Sequence, residues 1–110
     1  SSKDPPSSRL RRQGQRRQYD GKALEAAALR YLGRYASSVE NLRRVLGRKS
    51  EDREAIQSVI DKCVRLGLVD DSSYAAGRAV SLARLGASRR AILERLRAKG
   101  VDQETILGAL

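Results

Sequence analysis

Apolar residues recur at every third or fourth position along most of the chain, which is the spacing of one face of an α-helix. One such stripe begins at Leu24, Ala27 and Ala28 and continues to Tyr35. The same spacing predicts helices at about residues 21–34, 38–48, 52–66, 71–84, 88–98 and from 102 onward. Both prolines lie within the first six residues, so proline interrupts none of these segments. The sequence therefore predicts an all-α fold.

The chain repeats itself without a gap at an offset of fifty residues. The matching positions are Ser38, Leu42, Leu46, Lys49, Asp52, Glu54 and Ile56 with Ser88, Ile92, Leu96, Lys99, Asp102, Glu104 and Ile106. A fixed period of this kind is typical of stacked helical units. We therefore expect two tandem three-helix repeats that resemble helix-turn-helix folds, at residues 21–69 and 70–110, after an arm at residues 1–20. The second repeat is expected to be incomplete, its last helix being either naturally short or cut off.

Polar residues and glycines mark the expected ends of the helices in the first repeat. Ser37, with Glu40 three residues on, predicts a capping box at the start of the second helix. Gly67 is expected to end the third helix, with Leu68 folding back as a hydrophobic contact.

The second repeat follows the same scheme. Asp70 or Asp71 is expected to cap the fourth helix. Ser88 is expected to cap the fifth helix, which Gly100 closes. The inner face of the fourth helix is predicted to comprise Tyr74, Gly77, Val80 and Leu82, and that of the third Ile56, Val59, Ile60, Cys63 and Val64. Val69, between the repeats, is expected to lie in their interface.

The core must form without large rings other than tyrosine, because the sequence has no Phe, Trp or Met. It is therefore expected to consist of Leu, Ile, Val and Ala, with Cys63 as a small core residue. The pattern places Tyr31 and Tyr74 in the core. It leaves Tyr19 and Tyr35 open between packing and stacking on nucleic-acid bases.

The formal net charge is +10, from 23 basic and 13 acidic residues, and half of it lies in residues 1–22. Such a balance favours a polyanionic partner, most simply nucleic acid. The arm is too polar to bury apolar surface and is expected to be disordered. The candidate phosphate-binding residues of the arm are Arg11, Arg12, Arg16 and Arg17. They either engage phosphates without sequence preference or belong to a solvated tail, part of it vector-derived.

Other features of the composition narrow the class of protein. No apolar run approaches the roughly 18 residues of a membrane span, so we expect no membrane association. A single cysteine excludes an internal disulfide, and the absence of histidine excludes the usual zinc sites. We expect no signal peptide and a cytoplasmic location.

Basic side chains concentrate on the same helix of each repeat. They are Arg43, Arg44, Arg48 and Lys49 on the second helix and Arg89, Arg90, Arg95, Arg97 and Lys99 on the fifth. About half of them lie near helix C-termini, where they complement the macrodipole. The others form either an ordinary solvated face or a surface for a partner, and their recurrence favours the partner. Acidic residues instead mark the third helix, which argues against that helix reading a DNA groove. They are Glu51, Asp52, Glu54 and Asp61.

No combination of residues predicts catalysis. Helix capping explains the acidic residues of segment 51–54 better than a divalent ion does. Asp70 and Asp71 have no nucleophilic or basic partner fixed nearby, and cap and turn roles are favoured. The sequence shows no glycine-rich phosphate loop and no nucleophile–base pair. We therefore expect no enzyme activity, no cofactor and no metal.

Two stretches, one across the boundary between the repeats and one in the second repeat, resemble the RecX family of recombinase regulators. The first is RLGLVDDSSYA at residues 65–75, in which an aromatic residue, Tyr74, follows Asp70 and Asp71. The second is GASRRAILERLRAKGV at residues 86–101, which contains Lys99 and Gly100. The first repeat fits as well, so the resemblance covers about residues 22–110.

The resemblance implies tandem three-helix repeats and a partner. Family members bind the RecA recombinase filament, lie along its groove, and damp its ATPase and strand-exchange activities; some also bind DNA. The family usually has three repeats, whereas this sequence shows two.

The leading hypothesis is a monomeric, non-enzymatic regulator of homologous recombination and DNA repair. It docks on the RecA filament, and its partners are RecA and single- or double-stranded DNA. The alternative is a stand-alone basic helical module that binds nucleic acid. A third interpretation is a plain helical scaffold whose charge only aids solubility.

Overall fold

The computed structural model describes residues 19–110, which are helical and contain no strand. The helices are α1 (Gly21–Arg34), α2 (Val39–Gly47), α3 (Arg53–Arg65), α4 (Asp71–Arg84), α5 (Arg89–Ala98) and α6 (Gln103–Ala109). The predicted all-α fold is confirmed, and every predicted boundary up to residue 98 lies within one residue of the observed one. The predicted disordered arm lies outside the described residues, apart from its last two positions.

Every helix begins at a side chain that accepts a hydrogen bond from the backbone N–H three residues later. The capping residues are Asp20, Ser38, Asp52, Asp70, Ser88 and Asp102. The same residue type caps the helices that lie fifty residues apart in the two repeats. The fifty-residue repeat therefore includes the positions at which the helices begin. At Asp102 the hydrogen bonds from Thr105 lower the pKa of the carboxyl group, because they favour its charged form.

The predicted capping box on α2 is wrong. Ser38, not Ser37, accepts from the Asn41 N–H, at 3.1 Å. The hydroxyl of Ser37 instead donates to the Ser38 carbonyl at 2.8 Å. Glu40 is therefore one residue too early to complete the box.

Among the described helices, α3, α4 and α5 end at a glycine with positive φ: Gly67 (74°), Gly86 (93°) and Gly100 (80°). At Gly67 the next N–H, that of Leu68, reaches back to the Cys63 carbonyl at 2.8 Å, which completes a Schellman motif. The expected apolar contact of Leu68 is wrong, because this side chain is 45% exposed. Val69 is buried in its place.

Within residues 19–110 the buried side chains form two clusters. The first comprises Leu24, Ala27, Ala28, Leu42, Leu46, Ile56, Val59, Ile60, Cys63 and Val69. The second comprises Ala75, Ala79, Leu82, Ile92, Leu96, Val101 and Ile106. We call α1–α3 the first unit and α4–α6 the second unit. The two clusters lie on either side of residue 70, while the exact limits of the repeats stay a prediction. Val69 belongs to the first cluster and not to a shared apolar interface.

The inner face of α4 differs from the prediction. Ala75 and Ala79 are buried with Leu82, whereas Gly77 is exposed and Val80 is 50% exposed. Small side chains let α4 pack closely against α6, which explains why alanines take the inner positions. On α3, the C-terminal member of the predicted stripe, Val64, is likewise exposed.

None of the helices within residues 19–110 combines the length and the hydropathy that a membrane span requires.

Candidate nucleic-acid interface

The start of α2 is held by the second unit. The side chain of Ser38 is fully buried, and its hydroxyl donates to the Lys99 carbonyl at 2.6 Å while it caps α2. The next N–H, that of Val39, donates to a carboxylate oxygen of Asp71 at 2.8 Å. Two adjacent residues of the first unit are therefore fixed by two residues of the second. We call these two contacts, together with those of Arg44 with Ala98, Gly100 with Glu40 and Asn41 with Lys99, the joint.

The C-terminal end of α5 faces the same place. Arg44 donates to the Ala98 carbonyl at 2.9 Å, which satisfies a carbonyl near the end of that helix. The positive end of the α2 dipole thus meets the negative end of the α5 dipole, an arrangement that electrostatics favours. Gly100 lies tightly against Glu40 of α2, since a Cβ placed on this glycine would lie 2.5 Å from the Cβ of Glu40.

Asn41 connects the joint to α1. Its amide nitrogen donates to the Tyr31 hydroxyl at 2.9 Å and to the Ser37 hydroxyl at 3.2 Å. Its amide oxygen accepts from the Lys99 ammonium at 3.4 Å. One polar side chain therefore fixes an aromatic ring of the first unit beside a cation of the second.

A groove of about 570 Å³ opens beside Asn41. It is lined by Ala27, Arg30, Tyr31, Arg34, Tyr35, Asn41, Val45, Arg48, Lys49 and Lys99. Five of these side chains are cationic, and no acidic side chain of the described residues is among them. Lys99 is the lining residue that comes from the second unit, so the groove spans both units. We call it the basic groove.

Tyrosine rings stand among the cations of the basic groove. The Tyr35 side chain is 51% exposed, and its ring centroid lies 5.0 Å from that of Tyr31. The Arg34 guanidinium is 5.7 Å from the Tyr35 ring centroid. An exposed ring beside cations provides a stacking surface for a base and charges for the adjoining phosphates. The arrangement can therefore hold a short piece of single-stranded nucleic acid.

Comparison with known proteins identifies the family. A protein of Myxococcus xanthus named "Regulatory protein RecX" is 39% identical, over 76% of this chain and 51% of its own. Proteins with the same name are 36% identical in Mycolicibacterium vanbaalenii (82% and 50%) and 35% identical in Thermobifida fusca (77% and 46%). This chain belongs to the RecX family. It spans about half the length of these curated relatives. No family model and no solved structure matches it.

Within this RecX-family chain, most motif residues of the resemblance lie at the joint. Asp70 caps α4 by accepting from the Ser73 N–H at 2.9 Å, and its neighbour Asp71 contacts α2. Tyr74 is partly buried against the second cluster. Lys99 and Gly100 form the turn that packs on the start of α2.

The structure divides the predicted basic residues into separate places. Arg48, Lys49 and Lys99 line the basic groove. Arg43 pairs with Glu40 and donates to Gln57 at 3.0 Å, outside the groove.

The predicted basic residues of α5 are spread over the second unit. Arg89 lines a shallow apolar pocket near Leu110, and Arg97 donates to Gln103 at 2.8 Å. Arg90 and Arg95 are exposed, and the structure gives them no ion pair within residues 19–110. The predicted arm arginines lie outside the described residues.

Sequence reasoning missed two cations of the groove, Arg30 and Arg34. The signal was present in the segment RYLGRY at residues 30–35. Its two arginines are four residues apart, and so are its two tyrosines. That spacing places both pairs on one face of α1.

The argument from an acidic third helix is also wrong. Within its observed limits α3 carries three basic side chains and two acidic ones. Asp52, counted with it, is the cap that precedes the helix, where its carboxylate complements the positive end of the dipole.

Proposed function

We propose that this RecX-family chain is a non-enzymatic regulator of RecA that docks on the RecA–DNA filament and lowers its ATPase and strand-exchange activities. The observation that carries the proposal is the match to several proteins named "Regulatory protein RecX", over three quarters or more of this chain in each of the three cited. Their printed name is that of a regulator. An all-helical chain with two small cores suits a binding role.

The basic groove is the surface proposed to meet the filament. A filament on DNA presents closely spaced phosphates, and the five cations among the described lining residues provide the complementary charge. Because Lys99 adds to the groove from the second unit, both units contribute to one binding surface.

The ATPase of RecA on single-stranded DNA tests this proposal directly. Adding this chain at micromolar concentration is expected to lower the rate of ATP hydrolysis. The variant Arg34→Gln should weaken the inhibition. Arg65→Gln is the matched control, since both arginines lie in the last turn of a helix but only Arg34 lines the groove. An unchanged ATPase rate across the titration contradicts the proposal.

A second candidate function is a stand-alone module that binds single-stranded nucleic acid. The observation that favours it is the exposed Tyr35 ring beside Arg34, a combination that suits base stacking and phosphate contact without any protein partner.

Excess single-stranded DNA separates the two functions. If the chain inhibits RecA only by taking up DNA, more DNA relieves the inhibition. If it docks on the filament, inhibition persists when DNA is no longer limiting. Direct binding of the chain to a labelled oligonucleotide, without RecA, then measures what the groove contributes alone.

A further inference from the structure

The two units do not share an apolar cluster, so polar contacts set how they meet. Two of these contacts join the N-cap and the first residue of α2 to the second unit: Ser38 to the Lys99 carbonyl, and the Val39 N–H to Asp71. A directional hydrogen bond constrains orientation more than an apolar contact of the same area does. The pair of bonds therefore fixes the second unit at two points.

The basic groove depends on that orientation. Nine of its ten lining residues belong to the first unit or to the segments that connect its helices, and the tenth is Lys99. The Lys99 carbonyl is bonded at the joint while its ammonium group lies 3.4 Å from the Asn41 amide oxygen. Whatever moves the second unit relative to α2 therefore moves this ammonium group out of the groove.

We propose that Asp71 is a positioning residue for the basic groove: by fixing the second unit on α2, it places the Lys99 ammonium group where a phosphate of single-stranded nucleic acid binds. The proposal rests on the nucleic-acid role proposed for the groove. Asp71 is the first residue of α4 and also accepts from the first N–H of α2. Its carboxylate thus meets the positive ends of two helix dipoles, one from each unit.

The sign of the effect distinguishes positioning from simple charge. Removing a carboxylate makes the chain more positive, and electrostatics alone then strengthens binding to a polyanion. Positioning through Lys99 predicts the opposite, namely weaker binding when Asp71 is removed.

The test uses the 110-residue chain and a fluorescent oligothymidylate of about 15 nucleotides, titrated at several salt concentrations. Lys99→Gln is expected to weaken binding by about threefold to tenfold and to reduce the slope of log K against log[salt] by about 0.7, the share of one phosphate contact on a single strand. Asp71→Ala is expected to produce the same loss of affinity and of slope. In the Lys99→Gln background, Asp71→Ala should cause no further loss of affinity or of slope.

Two further variants control for charge and for hydrogen bonding. Asp70→Asn removes a neighbouring negative charge but keeps a side chain that caps α4, so binding should stay equal or become slightly stronger. Asp71→Asn keeps an oxygen that can accept from Val39 and should retain most of the affinity.

Each outcome decides a different point. If Lys99→Gln weakens binding and Asp71→Ala does not, or if the two effects multiply in the double variant, the positioning role is rejected while the groove stands. If neither Lys99→Gln nor Arg34→Gln changes binding, the nucleic-acid role of the groove itself fails.

Gly100→Ala keeps the test available if Asp71→Ala does not fold. It pushes the α5–α6 turn away from Glu40 without touching a charge. Its matched control is Gly67→Ala, at a similar positive φ but with open space around the added carbon. Weaker binding for Gly100→Ala alone supports the proposal, and equal binding for both variants overturns it.

Discussion

The hydroxyl of Ser38 donates to the carbonyl of Lys99, 61 residues further along the chain, at 2.6 Å. Ser88, the matching residue of the second unit, caps α5 in the same way but is exposed, and within residues 19–110 the hydrogen bond of its hydroxyl is the one from the Ala91 N–H at 3.1 Å. Equivalent serines therefore have different roles. One caps a helix, while the other also ties two units together.

This difference predicts unequal costs for two identical substitutions. Ser88→Ala removes a cap and is expected to lower the free energy of unfolding by about 1 kcal/mol. Ser38→Ala also leaves a part-buried carbonyl without its donor, so we expect a loss of about 2 to 3 kcal/mol. Urea unfolding followed by circular dichroism measures both values. Equal losses would show that the bond to Lys99 adds nothing to stability.

The glycines at the helix ends provide a second matched pair. Gly67→Ala places a side chain at a φ of 74° with open space around it, so only backbone strain of about 1 to 2 kcal/mol is expected. Gly100→Ala has a similar φ, but its Cβ would lie 2.5 Å from the Glu40 Cβ. We expect this overlap to add about 1 to 3 kcal/mol. Thermal unfolding of the two variants in one buffer checks the order.

Tyr35 provides a test of the basic groove that leaves the core intact. Because half of its side chain is exposed, Tyr35→Ala should change the melting temperature little. Loss of a stacked base is expected to weaken binding to an oligothymidylate by about 1 to 3 kcal/mol. Fluorescence anisotropy measures the affinity. Tyr74→Ala is the opposite case, because that ring packs against the second cluster and its loss should reduce stability. Unchanged affinity for Tyr35→Ala would exclude stacking on this ring.

Cys63 makes stability depend on alkaline pH. Burial raises the pKa of its thiol, the Glu25 carboxylate raises it further, and the Lys62 ammonium opposes the shift. The folded state therefore favours the neutral thiol. Its contribution to stability is complete below the pKa of the unfolded thiol and is lost as pH rises through the higher folded value.

Unfolding of the wild-type chain and of Cys63→Ala over alkaline pH measures this contribution. The wild type should lose more stability with rising pH than the variant does, although the variant starts lower because it leaves a small cavity. Parallel pH profiles would contradict the assignment. In addition, a thiol reagent should modify native Cys63 slowly and the urea-unfolded chain quickly, since this side chain is 2% exposed.

The helices and their order could be predicted from sequence because their signals are local. The apolar spacing and residues such as Asp70, Ser88 and Gly67 act within a few positions of where they stand. The error at Ser37 is of the same local kind, since two adjacent serines compete for one cap and only the observed backbone shows which one is used.

The joint could not be predicted in this way. Its two shortest bonds link residues 32 and 61 positions apart, and in each of them one partner is a backbone N–H or carbonyl group, which carries almost no sequence signal. Asp71 has the sequence pattern of an ordinary first-turn acid, and nothing in that pattern points to Val39. The groove was partly predicted. Arg48, Lys49 and Lys99 were identified because basic residues concentrate on the second and fifth helices, whereas Arg30 and Arg34 lie on the first helix, where no such concentration was noted.

The separate apolar clusters have a consequence for how the chain folds during synthesis. The first unit leaves the ribosome before Asp71 and Lys99 exist as partners, so the Val39 amide and the Ser38 hydroxyl must remain bonded to water until the second unit arrives. Exchange of the Val39 amide hydrogen should therefore follow the opening of the second unit, although the amide belongs to the first. A single backbone proton in α2 thus reports when the whole molecule has formed.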